Sequence, residues 1–127
     1  MLKIFSKFSD HGRNLLSKYR QFTKTTSVYD KDHTLEYLSL GLVSEAGEVA
    51  GAVKRVFRGD KKKYSGINQI HPEDKEKIFK EMGDVLWYLT ALADQLGTTV
   101  DDLIENNMDK LTDRKKRDVL KGNGDDR

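Results

Sequence analysis

Apolar residues along the chain return at intervals of three and four positions rather than at every second one, the spacing of helices that each bury one face. Leu35, Leu38, Leu42, Val49, Val53 and Val56 draw one such stripe. Ile78, Met82, Val85, Leu86, Leu89, Leu92 and Leu96 draw a second, and Val100, Leu103, Ile104, Met108 and Leu111 a third. No segment alternates as a half-buried strand would, and the single proline, Pro72, suits the first position of a helix. The pattern predicts four helices: about Asp10 to Thr25, Thr34 to Phe57 with Thr34 as N-cap, Pro72 to Leu96 stopped by Gly97, and Val100 to Leu120 capped by Thr99. Residues 58–71, rich in charge and turn formers, read as a loop, and Gly122 to Arg127 as a tail. The expected architecture is all-α: a four-helix bundle in one domain over 1–127, with its core from about 19 to 120 and a flexible tail at 121–127.

Composition adds one point and removes several. Hydrophobic residues make up 36% and charged residues 35%, which leaves little apolar material for a private core, so association with further copies is expected. The net charge of +2, from 23 basic and 21 acidic residues, makes any anion site local rather than a property of the whole surface. Without cysteine there is no disulfide, no thiolate metal site and no thiol nucleophile. The start, Met1 to Phe8, lacks an apolar run of signal-peptide length, and no stretch approaches the roughly 20 apolar residues of a membrane span. A soluble, cytoplasmic protein with no membrane partner is the expectation.

The candidate chemistry lies in four acids. In Ser44-Glu45-Ala46-Gly47-Glu48 and again in Glu81-Met82-Gly83-Asp84 two acids stand three apart, so each pair shares a helix face. Turning each residue about 100° around the axis puts Glu45 about 20° outside the apolar arc of its helix and Glu48 about 60° further. Glu81 and Asp84 take the same two offsets on the third helix, on the same rotational flank. Four carboxylates at the edge of a core repel one another unless a divalent cation compensates them. All-oxygen donors favour magnesium, or manganese, over zinc, and magnesium commonly completes its shell with phosphate oxygens and water. Gly47 and Gly83 each cost roughly 1 kcal/mol of helix propensity relative to alanine, which suggests close approach by packing or by a ligand.

On the fourth helix Asn107 and Arg114 project within the apolar arc and Lys110 lies about 20° outside it. An amide, an ammonium and a guanidinium along one face suit the oxygens of a sugar and a triphosphate; the alternative is that Lys110 and Arg114 pair with Glu45 or other acids of the bundle. Lys54, Arg55, Arg58 and Lys61 to Lys63 read first as a solvated face. Trp87 and Tyr88 follow Asp84 at a place where an aromatic ring could stack on a base or pack a helix interface.

Gly41-Leu-Val-Ser-Glu-Ala-Gly-Glu-Val-Ala-Gly51, Glu81-Met-Gly-Asp-Val-Leu-Trp-Tyr-Leu89 and Asn107-Met-Asp-Lys-Leu-Thr-Asp-Arg114 together make the chain resemble the MazG-like, all-α nucleoside triphosphate pyrophosphohydrolases, in particular small phage-type members. The resemblance runs from about Tyr19 to Arg114. It implies magnesium-dependent cleavage between the α and β phosphates to monophosphate and pyrophosphate, in a homodimer or homotetramer. It implies Glu45, Glu48, Glu81 and Asp84 as metal ligands, and Lys54, Asn107, Lys110 and Arg114 beside the nucleotide. Glu48, farther from the core, is the expected general base. Residues 49–80, between the two acid pairs, form a longer connection than the family pattern implies.

Three other readings compete. A di-iron bundle wants Glu-x-x-His on two helices, which His11, His33 and His71 do not supply. A nucleic-acid binder would use Lys61 to Lys63 and Arg114 to Arg117, against a near-neutral total charge. A helical oligomerisation or nucleotide-sensing module that kept the acids and lost turnover is separated from the enzyme by pyrophosphate release.

Overall fold

The computed structural model describes residues 10–59, 70–122 and 124, and among these there are helices and no strand. Helix α1 spans Asp10–Thr26, α2 Thr34–Arg58, α3 Pro72–Gln95 and α4 Val100–Lys116; a 3₁₀ turn, Lys31–His33, leads directly into α2. The all-α expectation and the four helices hold. The loop expected at 58–71 falls mostly outside the described residues.

The local chemistry of the helix ends explains their positions. α1 stops where Thr23, Thr25, Thr26 and Ser27 turn their hydroxyls back onto carbonyls of Arg20, Phe22 and Thr23, occupying acceptors at the helix end. Thr34 is not the N-cap expected of it. Its backbone is already helical, and its hydroxyl donates to the Lys31 carbonyl at 3.0 Å. The cap lies upstream, where the Asp30 carboxylate accepts from the Asp32 N–H at 3.0 Å and starts the 3₁₀ turn. Pro72 opens α3 as expected. Gly97, at φ 71°, closes it: its N–H bonds the Asp94 carbonyl and the Thr98 N–H the Ala93 carbonyl, the paired bonds of a Schellman motif. Thr99 caps α4 in a reciprocal box with Asp102.

α4 ends at Lys116, four residues before the expected Leu120. Asp118 takes φ 56°, its N–H bonds Lys115 and the Val119 N–H bonds Arg114, so the same Schellman geometry forms around an aspartate. The left-handed turn was unreadable because glycine, its usual carrier, is missing.

α2 and α3 are the main packed pair, running antiparallel: Tyr37 meets Tyr88, Glu45 meets Asp84, and Val56 and Phe57 share a groove with Ile78 and Phe79. α1 and α4 pack on α3, and no Cα of α4 lies within 8 Å of one on α2. Thr90, Ala91 and Ala93 are buried on α3, and Thr90 lies at the approach of α1, sharing a cleft with Leu16, Tyr19 and Arg20. Two cross-links fix that approach: Arg20 bonds Asp94, and the Trp87 indole donates to the Thr26 hydroxyl at 2.7 Å. The interior is sparse. Leu38 is fully enclosed, while Leu40, Val43 and Phe79 are each more than 70% exposed.

Candidate functional site

The antiparallel register of α2 and α3 brings the two acid motifs face to face. One carboxylate oxygen from each of Glu45, Glu81 and Asp84 lies within 4.8 Å of the others; Glu45 and Glu81 are half-buried and Asp84 is exposed. An octahedral ion with metal–oxygen distances of about 2.1 Å sets its ligand oxygens roughly 3 to 4.2 Å apart, so a small closure of this group encloses a magnesium-sized cation. The donors, all carboxylate, are those that hard divalent ions take.

Glu45 feels both its burial and its neighbours. Its pKa is raised above the usual carboxylate value, first by burial and then by the charges of Asp84, Glu81 and Glu48. On α1, burial lifts the Tyr19 phenol, and Asp84 adds to the effect. The direction in both cases is that of uncompensated negative charge at a half-sheltered site, which a cation relieves.

Glu48 lies one turn beyond Glu45, exposed and outside the close three-oxygen group, though its charge is felt at Glu45. Lys54 is exposed on α2, and Asn107 and Lys110 are exposed on α4. Arg114 is buried, at 4% exposure, and donates to the Gly124 carbonyl at 3.3 Å. The structure therefore gathers three of the four expected ligands, and none of the four expected nucleotide-binding residues is among those lining the cavity beside them.

That cavity, of about 480 Å³, is walled by Phe22 and Thr26 from α1, Tyr37 and Glu45 from α2, and Asp84, Trp87 and Tyr88 from α3. Tyr88 donates to the Tyr37 hydroxyl at 3.4 Å, and Trp87 stands edge-on to Tyr88 with centroids 5.0 Å apart. The Tyr88 phenol is pushed up to about 12, by the bond to Tyr37 first, then by burial, with Tyr37, Glu45 and Asp84 contributing. Sequence reasoning noticed Trp87 and Tyr88 but not Phe22, Thr26 or Tyr37. The available signal was Tyr37, Gly41 and Glu45 at four-residue steps on one face of α2.

Among the described residues, the two glycines inside the acid motifs serve no packing contact. A Cβ built on Gly47 or Gly83 meets nothing within 4 Å. The close approach expected of them occurs at Gly41, where the Tyr88 ring lies against the helix.

Residues 33–119 match the family model of the MazG nucleotide pyrophosphohydrolase domain. The chain is 37% identical over 115 residues to the Gene 37 protein of Mycobacterium phage L5, an alignment covering 86% of this chain and 96% of that protein. It is 35% identical over 90 residues to the uncharacterized protein YvdC of Bacillus subtilis strain 168, covering 68% of this chain and 84% of that one.

Proposed function

Since the chain belongs to the MazG nucleotide pyrophosphohydrolase family, we propose that it hydrolyses nucleoside or deoxynucleoside triphosphates between the α and β phosphates, releasing monophosphate and pyrophosphate. The observation that carries this reading is the group of three carboxylate oxygens from Glu45, Glu81 and Asp84 within 4.8 Å of one another. These residues would hold magnesium, with manganese as a substitute and Glu48 as a fourth ligand at the margin. When bound, the ion would draw charge from the triphosphate and favour displacement at the α phosphorus.

The chain's own residues divide the remaining work. Glu48, exposed and one turn from Glu45, accepts the proton of the attacking water. Lys54, Asn107 and Lys110 contact sugar and phosphate, and Arg114 joins them by exchanging the Gly124 carbonyl for a phosphate oxygen. Because α4 stays clear of α2, we assign that contact to an assembly in which a second copy brings its α4 toward the acids. The exposed Leu40, Val43, Phe57 and Phe79 supply apolar surface for a homodimer or homotetramer. The biological task in this reading is the clearing of unwanted nucleotides from the pool.

Purified protein incubated with a panel of ordinary and modified triphosphates, with and without magnesium, tests the reading through monophosphate and pyrophosphate release. Magnesium-dependent pyrophosphate is expected. Its absence across the panel returns the chain to a non-catalytic nucleotide-sensing or oligomerisation module.

A further inference from the structure

Gly41 occupies the middle of a face that also carries Tyr37 and Glu45. A Cβ on Gly41 would overlap Tyr88 Cε1 and come 2.5 Å from Cδ1 and Cζ. Those distances are far inside van der Waals contact, so the ring occupies the space that any other residue at 41 would fill. Tyr37 and Trp87 pin it on two sides, with ring centroids 6.0 Å and 5.0 Å away. The same three rings wall the cavity that opens onto Glu45 and Asp84.

Among the described residues that line this cavity, the two acids are the charged groups; Phe22, Tyr37, Trp87 and Tyr88 present aromatic surface, with Tyr37 backed by the stacked ring of Tyr29, and the Trp87 N–H is already given to Thr26. Such a wall offers faces for stacking and few free groups for reading the edge of a ring. It suits a planar, uncharged heteroaromatic group whose attached phosphates lie toward the acids.

We propose that the nucleobase of the triphosphate stacks on the wall formed by Tyr37, Trp87 and Tyr88, and that Gly41 sets base affinity by letting the Tyr88 ring lie against α2. The proposal rests on the nucleotide reading above and specifies how that site holds its substrate. Bases are then separated by stacking area, so purines bind more tightly than pyrimidines.

Trp87 is the single tryptophan of the chain, so its emission reports the wall alone. The full chain with magnesium is titrated with α,β-imido triphosphates of adenosine and cytidine, and with inorganic tripolyphosphate, which has no base. The nucleotides are expected to change Trp87 emission, adenosine at the lower concentration, and tripolyphosphate to bind calorimetrically without changing it. Tyr88→Ala is expected to lower the ratio of nucleotide to tripolyphosphate affinity by roughly tenfold or more, the scale of one base–aromatic stack. Gly41→Ala should lower the same ratio and add nothing once residue 88 is alanine. Should Gly41→Ala lose its helical content, the Tyr88→Ala measurement decides alone. A ratio within about twofold of wild type in Tyr88→Ala, or an equal emission response to tripolyphosphate, overturns the stacking wall and leaves the hydrolase reading standing. A wild-type chain that binds and cleaves no triphosphate overturns both.

Discussion

Arg20 on α1 donates from Nε to Oδ1 of Asp94 on α3 at 2.6 Å, and Lys24, one turn on, stands 3.6 Å from the other carboxylate oxygen. Asp94 is 18% exposed and Arg20 35%, so the pair lies between a surface ion pair worth about 0–1 kcal/mol and a buried one whose breakage costs about 3–5. Asp94→Ala is expected to lower stability by about 1–2 kcal/mol, visible as a lower urea midpoint with an unchanged slope. An unaltered midpoint would mean that α1 is held by its other contacts.

Neutral amides are poor magnesium ligands, so Glu45→Gln and Asp84→Asn should each reduce pyrophosphate release to background while circular dichroism keeps its helical signal. Full turnover in either variant would remove the acids from the chemistry.

The same Glu45 change carries a stability prediction of opposite sign. The folded pKa of Glu45 lies above its unfolded value of 4.5, so its favourable contribution is complete below about pH 4.5 and is lost as pH rises through the folded pKa. With a chelator present at pH 7, Glu45→Gln should melt at a higher temperature than wild type, and the difference should close near pH 4. Added magnesium should raise the wild-type midpoint and leave the variant's almost unmoved.

At the end of α4, Asp118 holds a left-handed backbone with φ 56°. Asp118→Gly should therefore stabilise the chain by about 0.5–1 kcal/mol, since glycine adopts that region without steric penalty. A thermal melt showing a lower midpoint would mean that the aspartate side chain contributes more than its backbone costs.

At the other end, Thr99→Ala removes one half of a capping box and should cost about 1 kcal/mol. The bonds to Asp102, from the Thr99 hydroxyl first, then the Thr99 N–H and Thr98, hold its pKa below 3.8. A lowered carboxylate stabilises above its unfolded pKa and loses that contribution as pH falls through the folded one. The gap between wild type and Thr99→Ala should therefore narrow below about pH 4 in acid titrations followed by circular dichroism.

Periodicity and punctuation carried the helices: Pro72, Gly97 and Thr99 have strong local preferences, and each sits where those preferences put it. The convergence of Glu45, Glu81 and Asp84 was also legible, because rotation about a helix axis is set by sequence position alone. What lay beyond the sequence was whatever depends on tertiary context. Arg114 falls within the apolar arc by rotation and is buried there, but that its guanidinium meets the Gly124 carbonyl depends on the chain beyond α4, which no residue of α4 encodes. The role of Gly41 is not legible in its own helix because a glycine's reason is spatial, and the ring that explains it is 47 positions away in sequence.

The three converging acids belong to one antiparallel helix pair, whereas Phe22 and Thr26, two walls of the cavity, hang from α1. Charge constellation and this part of the hollow's outline are thus inherited on separate pieces of chain. Drift along α1 can remodel the hollow while the negative charges beside it stay in register, so diversification of the ligand needs no reinvention of the anchoring chemistry.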